Sequence, residues 1–251
     1  MGLDLPIRQG LTAGTFPTLL GRLSLLLLRS CCPVCGGSDG GRPVCSWCKT
    51  RLYPNEFLHW SSGPASVPGG GRVGVAITSP FVHSGAARDM VHLLKFGGRR
   101  GLGRVAARLI CSRGGDLPGP GDVVVPVPLG RSRLRSRGYN QSALIAAPLA
   151  VMRGARFEDA LRREDRPPQV GLSAAERRTN LLGSFSPRRA AAVGGRNVWV
   201  VDDVATTGAT LDESARVLLD AGAESVKGLT LTYRRLGPGC IIEREEAPEA
   251  H

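Results

Sequence analysis

No stretch of this sequence approaches the roughly 20 consecutive apolar residues that a helix needs to cross a bilayer. Its greasiest run, Leu25 to Leu28, lies between Arg22 and Arg29. A secretory signal core spans about 7–15 apolar residues and ends on small ones; this run is shorter, and Arg29 stands where a lipoprotein cleavage site before Cys31 would need a small residue. The expectation is a short amphipathic helix within residues 1–30 of a cytoplasmic protein with no membrane span. Aromatics are also scarce, at 5%, which leaves few platforms for stacking bases. Lysine occurs only at Lys49, Lys95 and Lys227, and none of the three sits in the G-x4-G-K-[ST] loop that an ATPase of the P-loop type requires. No internal repeat is visible.

What is present reads as a soluble globular chain. The 251 residues are 42% hydrophobic and 22% charged with a net charge of +12, long enough for one α/β domain and a small appendage. The positive charge favours anionic partners without choosing between nucleic acid and phosphorylated metabolites. Composition divides the chain into the N-terminal helix of residues 1–30, a cysteine-rich module of 31–54, a connector of 55–72 containing Ser-Ser-Gly-Pro-Ala-Ser-Val-Pro-Gly-Gly-Gly, a main domain of 73–235, and a tail of 236–251.

Within the main domain, strands are expected at Val73–Ile77, Asp122–Val125, Asn197–Val201 and Ser225–Tyr233. Helices are expected at Ala86–Phe96, Leu102–Ile110, Tyr139–Met152 with an interruption at Pro148, and Thr210–Ala221. Residues 153–189 are polar and poorly periodic, and read as a long mobile loop with one short helix. Strands alternating with helices imply a parallel sheet covered on both faces.

The densest signal is Val198-Trp199-Val200-Val201-Asp202-Asp203-Val204-Ala205-Thr206-Thr207-Gly208-Ala209-Thr210. An apolar strand ends in two carboxylates, the end at which open α/β sheets bind ligands, and a tight turn then opens a helix. A helix N-terminus offers unpaired N–H groups and partial positive charge to a phosphate. Gly208 permits close backbone approach, the hydroxyls of Thr206, Thr207 and Thr210 add donors, and carboxylates nearby accept from vicinal sugar hydroxyls. The implied ligand is a ribose 5-phosphate moiety. A plainer alternative is an Asp pair that only caps the helix.

This stretch resembles the phosphoribosyl pyrophosphate signature of type I phosphoribosyltransferases, and further pieces narrow the likeness to the ComF family (ComF and GntX-like proteins). Val125-Pro126-Val127-Pro128 followed by Arg137-Gly138-Tyr139-Asn140-Gln141 is similar to that family's middle motif, and Leu94-Lys95-Phe96 and the N-terminal cysteines also match. Gln169, Leu172-Ser173-Ala174-Ala175-Glu176-Arg177 and Asn180 resemble its flexible-loop signature. The resemblance covers about residues 30–235 and implies a type I phosphoribosyltransferase-like parallel sheet plus a small zinc ribbon. It implies that Asp202 and Asp203 hold the ribose hydroxyls and that Val204, Ala205, Thr206, Thr207, Gly208, Ala209 and Thr210 take the 5-phosphate. The loop of Pro126, Val127, Pro128, Leu129, Gly130 and Arg131 would bind pyrophosphate through backbone amides. Magnesium would bridge pyrophosphate and ribose oxygens, and Arg177, on a closing loop, would neutralise the leaving group. A solvated loop surface remains the alternative for Arg177, Gln169 and Asn180, as snorkelling beside Phe96 does for Lys95.

Cys32-x2-Cys35 and, nine residues on, Cys45-x2-Cys48 form a four-thiolate pattern suited to structural zinc. Disulfides and free thiols are the alternatives, the former disfavoured in a reducing compartment, and Cys31 could substitute as a ligand. Arg131, Arg133, Arg135 and Arg137 recur at every second residue, which suits pyrophosphate, a polyanion backbone or simple solvation. Two function classes therefore stand: a phosphoribosyltransferase acting on an unspecified nucleophile, and a non-catalytic ComF-type adaptor in DNA uptake, partnered by single-stranded DNA or a DNA-processing helicase.

Overall fold

The computed structural model describes residues 31–38, 43–55, 59–60, 65–66, 72–165 and 183–234. The expected N-terminal helix, most of the connector, the loop carrying Gln169, Arg177 and Asn180, and the tail lie outside the described residues. In chain order the elements are α1 (Ser46–Thr50), β1 (His59–Trp60), β2 (Ala65–Ser66), β3 (Arg72–Val73), β4 (Ala76–Thr78), β5 (Phe81–Val82), α2 (Gly85–Phe96) and α3 (Leu102–Arg113). There follow β6 (Val123–Pro126), α4 (Arg131–Arg137), α5 (Gln141–Arg153), β7 (Arg156–Phe157), β8 (Leu161–Arg163), β9 (Phe185–Pro187), β10 (Asn197–Ala205), α6 (Ala209–Asp220) and β11 (Ser225–Tyr233).

The main sheet runs β1-β4-β11-β10-β6-β7, with β5 also on β11. Among these described strands only β1 is antiparallel to its neighbour. The central strands are apolar on both faces, as parallel strands sandwiched by helices must be. Period-two alternation sends Trp199 and Val201 of β10 and Val124 of β6 into one core with Met90, Leu94, Ile110, Ile145 and Leu149 of α2, α3 and α5. Val198, Val200, Val123 and Val125 face the opposite core with Leu211 and Leu218 of α6.

Three expectations change. The strand expected across Val73–Ile77 is two pieces: β3, which pairs with β2, and β4, which joins the main sheet. Helix α5 runs through Pro148 rather than breaking there. Proline in a helix frees the carbonyl four residues earlier, here Leu144, and α3 presses a glycine against it: a Cβ on Gly103 would lie 2.3 Å from Leu144 O. Residues 153–189 are not one loop, because β7 adds to the sheet edge and β8 pairs antiparallel with β9.

The cysteine module shares the first core: Cys32, Val34, Val44, Cys45 and Cys48 cluster with α2 and α3 side chains. Arg99 donates to Pro33 O at 2.9 Å and Ala86 N to Arg51 O at 3.1 Å. Gly85 makes this contact possible, with φ +48° and room for no side chain beside Arg51 O. No helix among the described residues is long and apolar enough to cross a membrane.

Candidate functional site

The expected acidic pair lies near the C-terminal end of β10, which runs on to Ala205. Asp203 is 2% exposed, and Lys95 Nζ of α2 reaches its Oδ2 at 3.0 Å. Burial, and then the neighbouring Asp202, push the Asp203 carboxyl up to about 7 against the pull of Lys95. Asp202 is half-buried, and its Oδ1 accepts from Ser142 Oγ at 2.7 Å and from Asp203 N at 2.8 Å. Gly208 then turns the chain at φ 79°, a conformation that costs other residues strain. Helix α6 starts there, with Asp212 N on Gly208 O at 2.9 Å and Thr207 Oγ1 accepting from Ala209 N at 3.4 Å.

The neighbouring strand β6 ends in the second expected segment. Val127 N donates to Val201 O at 2.9 Å, which ties this loop to β10. Pro126 is buried within the sheet, and Gly130 caps α4. The Asp165 carboxylate already sits against that cap, accepting from Ser132 N at 2.8 Å and Ser132 Oγ at 3.2 Å.

The segment from Arg137 to Gln141 is a brace rather than a contact surface alone. Asn140 Nδ2 donates to Val127 O at 2.9 Å while its Oδ1 caps α5 by accepting from Ser142 N at 3.0 Å. Tyr139 Oη donates to Leu94 O at 2.7 Å, holding α2, and with it Lys95, over the sheet. Arg137 donates to Gln141 Oε1 and lies 5.5 Å over Phe96.

These parts enclose a cavity of about 1240 Å³ lined by Asp202, Asp203, Val204, Thr206, Thr210, Val127, Pro128, Leu129 and Lys95. Of the other expected residues, Ala205 is buried beneath it, Thr207, Gly208 and Ala209 complete the turn, and Arg177 lies outside the described residues. Sequence reasoning missed His83, Arg88, His92, Arg163 and Arg234, all in the lining, and Ser142, whose only signal was its place after the Asn140 cap. His83 binds Thr232 Oγ1 through Nδ1 at 2.9 Å. Its imidazole is held down to about 4 by burial, then by Lys95, Arg234 and Arg88.

The arginine stripe resolves by geometry. Residues four apart share a helix face, so α4 sends Arg133 and Arg137 into the main cavity and Arg131 and Arg135 into a second groove of about 970 Å³ beyond it. Arg131 therefore contributes its side chain elsewhere than the Asp pair.

Away from the cavity, the ligand atoms of Cys32, Cys35, Cys45 and Cys48 lie within 4.8 Å of one another, with Cys35 Sγ 3.6 Å from Cys45 Sγ. Zinc–sulfur bonds of about 2.3 Å make a tetrahedron with edges of about 3.8 Å, so the cluster fits the ion. Backbone N–H groups point at the sulfurs: Gly37 N to Cys35 at 3.4 Å, Cys45 N to Cys32 at 3.5 Å and Cys48 N to Cys45 at 3.4 Å. Burial opposes ionisation of Cys32, yet backbone donors, Cys45 first, bring it to about 6. Burial and the adjacent thiols raise Cys48, a cost that a bound cation would offset. Cys31 is exposed and stands outside the cluster.

Comparison with known proteins places these features. Residues 101–239 match the phosphoribosyl transferase domain, and the chain belongs to that family. Among individual proteins, it is similar to the DNA utilization protein YhgH of Salmonella typhi, at 38% identity over 146 residues, 55% of this chain and 63% of that protein. It is also similar to the competence protein ComFC of Bacillus subtilis, at 27% identity over 212 residues, 80% of this chain and 76% of that protein. These are ComF-type relatives, as the motifs imply. Among solved structures, an adenine phosphoribosyltransferase from Thermoanaerobacter pseudethanolicus aligns with a TM-score of 0.33 and 21% identity, over 57% of this chain and 82% of that one.

Proposed function

We propose that this chain binds phosphoribosyl pyrophosphate, and that it transfers the phosphoribosyl group. The observation that carries this reading is the Asp202–Asp203 pair leading into the left-handed Gly208 turn and α6, inside one cavity with the loop that follows β6. Asp202 and Asp203 accept from the ribose hydroxyls. The turn of Val204 to Thr210 donates to the 5-phosphate. The loop of Pro126 to Arg131 takes pyrophosphate on its amides, with Arg133 and Arg137 beside it, once Asp165 is displaced; Arg177 is assigned to the same leaving group.

In the transfer, a lone pair on the acceptor forms the bond to C1 while the C1–O bond to pyrophosphate breaks and its electron pair leaves on that oxygen. Any proton on the attacking atom passes to solvent. Carboxylates beneath the sugar stabilise the positive charge that develops there. The hard oxygens of the ligand and the Asp pair suit magnesium, which when bound would neutralise the leaving pyrophosphate. Lys95 favours the anion at Asp203, against burial and Asp202, which still leave that carboxyl at about 7.

Cys32, Cys35, Cys45 and Cys48 would hold zinc in a closed site that supplies folding energy to a small module; such thiols suit a reducing, cytoplasmic compartment. The second reading, an adaptor for single-stranded DNA or a helicase, is favoured by what the relatives' names say of DNA utilization and competence. Isothermal titration separates the two. Saturable, magnesium-dependent binding of phosphoribosyl pyrophosphate, lost in the Asp202→Ala/Asp203→Ala double variant, is expected. Binding that survives that variant, or no binding at all, sinks the transferase reading.

A further inference from the structure

Six cationic side chains line the cavity, and they are spread over several walls: Arg88 and Lys95 on α2, Arg133 and Arg137 on α4, Arg163 on β8 and Arg234 after β11. In the sheet, β10 is flanked by β6 on one side and β11 on the other. The pyrophosphate loop follows β6, and the 5-phosphate turn follows β10. The remaining wall is built from α2 and the ends of β5 and β11, where His83 N donates to Tyr233 O at 2.8 Å.

On that wall Arg88, His92 and Phe96 follow one another at intervals of four along α2, so they form one row facing the cavity. The Arg88 guanidinium has no ion pair or hydrogen bond among the described residues, and it lies close enough to bias the titration of His83. Phe96 is 69% exposed, and its ring centroid is 5.1 Å from that of His92 at 49°. The Arg137 guanidinium lies 5.5 Å over the Phe96 ring, so this rim of aromatic and guanidinium surface offers a flat ring a place to stack. Arg234 shares the wall, but its N–H on Ala205 O at 2.8 Å also brings it near the 5-phosphate turn. Of these two arginines, Arg88 is the one with no such tie to the 5-phosphate turn.

His83 adds a directional group. Thr232 Oγ1 is 2.9 Å from His83 Nδ1 and 3.4 Å from Asp203 O, to which it donates. That network assigns the proton to Nδ1, leaving Nε2 as an acceptor on the cavity side. Apart from the Asp pair, which the ribose takes, no carboxylate among the described residues lines the cavity.

Building on the transferase reading above, we infer that the acceptor is an acidic, flat heterocycle. Its carboxylate pairs with Arg88, its ring lies along His92 and Phe96, and, in a ring that carries one, an N–H donates to His83 Nε2. A neutral ring of the same shape leaves Arg88 unpaired and gains only the stacking contact.

The test titrates matched rings into the full, zinc-loaded chain saturated with phosphoribosyl pyrophosphate and magnesium: orotate against uracil, and nicotinate against nicotinamide. In each pair the acid is expected to bind at least about tenfold more tightly, since a charge-assisted pair is worth a factor of this order. Arg88→Gln is expected to erase the preference, and Arg88→Lys to keep part of it. Equal binding within both pairs, or no binding of any ring to a chain that binds the donor, overturns the inference. So does an Arg88→Gln loss that falls on the donor instead, which would make Arg88 a phosphate ligand. Failure of the donor itself to bind is a different result, and it removes the transferase reading together with this inference.

Discussion

Asp203 is a buried carboxylate beside another, and its replacement by asparagine should stabilise the protein while ending donor binding. The folded carboxyl titrates at about 7, where its ordinary value is 3.8. Folding therefore takes up a proton between those two values, and stability falls as pH rises through that window, reaching its full loss at about pH 7 and staying there above it. At about 1.4 kcal/mol for each pH unit the loss is about 2–4 kcal/mol, the lower figure allowing for relaxation around the ion. An asparagine side chain carries no charge to desolvate, and Lys95, 27% exposed, can turn its ammonium to water. At pH 8 the Asp203→Asn variant should melt about 4–16 °C above the parent, taking about 2–4 °C per kcal/mol for a domain of this size. Near pH 4 the two should coincide. Calorimetric melting of the zinc-loaded proteins from pH 4 to 9 reads this directly. A variant that melts lower at pH 8, or a difference independent of pH, would refute the reasoning. Functional sites commonly hold stability back in this way.

Other consequences are local. Ser142→Ala removes the hydroxyl that steers Asp202, and the affinity for phosphoribosyl pyrophosphate should drop about tenfold in titration, the worth of one hydrogen bond to a charged group. Gly103→Ala drives a methyl into the Leu144 carbonyl; denaturant unfolding should show a loss of about 1–3 kcal/mol, as overpacking does. One equivalent of zinc should be found by atomic emission and be lost in Cys48→Ser, with the melting of the module that packs on α2. The His83 ring nitrogens, followed by NMR, should titrate near 4 in the free protein, and higher when an anionic ligand offsets the surrounding cations.

Much of the sheet and one wall of the site were legible because they rest on local rules. Four apolar residues followed by Asp202 and Asp203, then Gly208 before a periodic segment, dictate strand, turn and helix without help from distant residues. Cys32, Cys35, Cys45 and Cys48 announce themselves by spacing alone. Helix α5 was misread at Pro148 because the cost of a freed carbonyl depends on what lies opposite, and Gly103 is 45 positions away in sequence. The strands β8 and β9 escaped for the same reason, since each is short and is fixed only by pairing with the other across residues 164–184. His83 and Arg88 carried no motif. Their role emerges only when β5 pairs with β11 and brings α2 over the acidic pair. The alternating arginines do not by themselves distinguish a strand from a helix start, and it is α4, a helix, that divides them between two grooves.

The most direct test of the central claim is a crystal structure of the full chain with phosphoribosyl pyrophosphate and magnesium bound. The account predicts the 5-phosphate on the amides of Thr206 to Thr210, the ribose hydroxyls on Asp202 and Asp203, and pyrophosphate at Val127 to Arg131 with the Asp165 carboxylate displaced. A ligand held by the Arg131 and Arg135 groove, with the acidic pair still bridged only to Lys95 and Ser142, would contradict it.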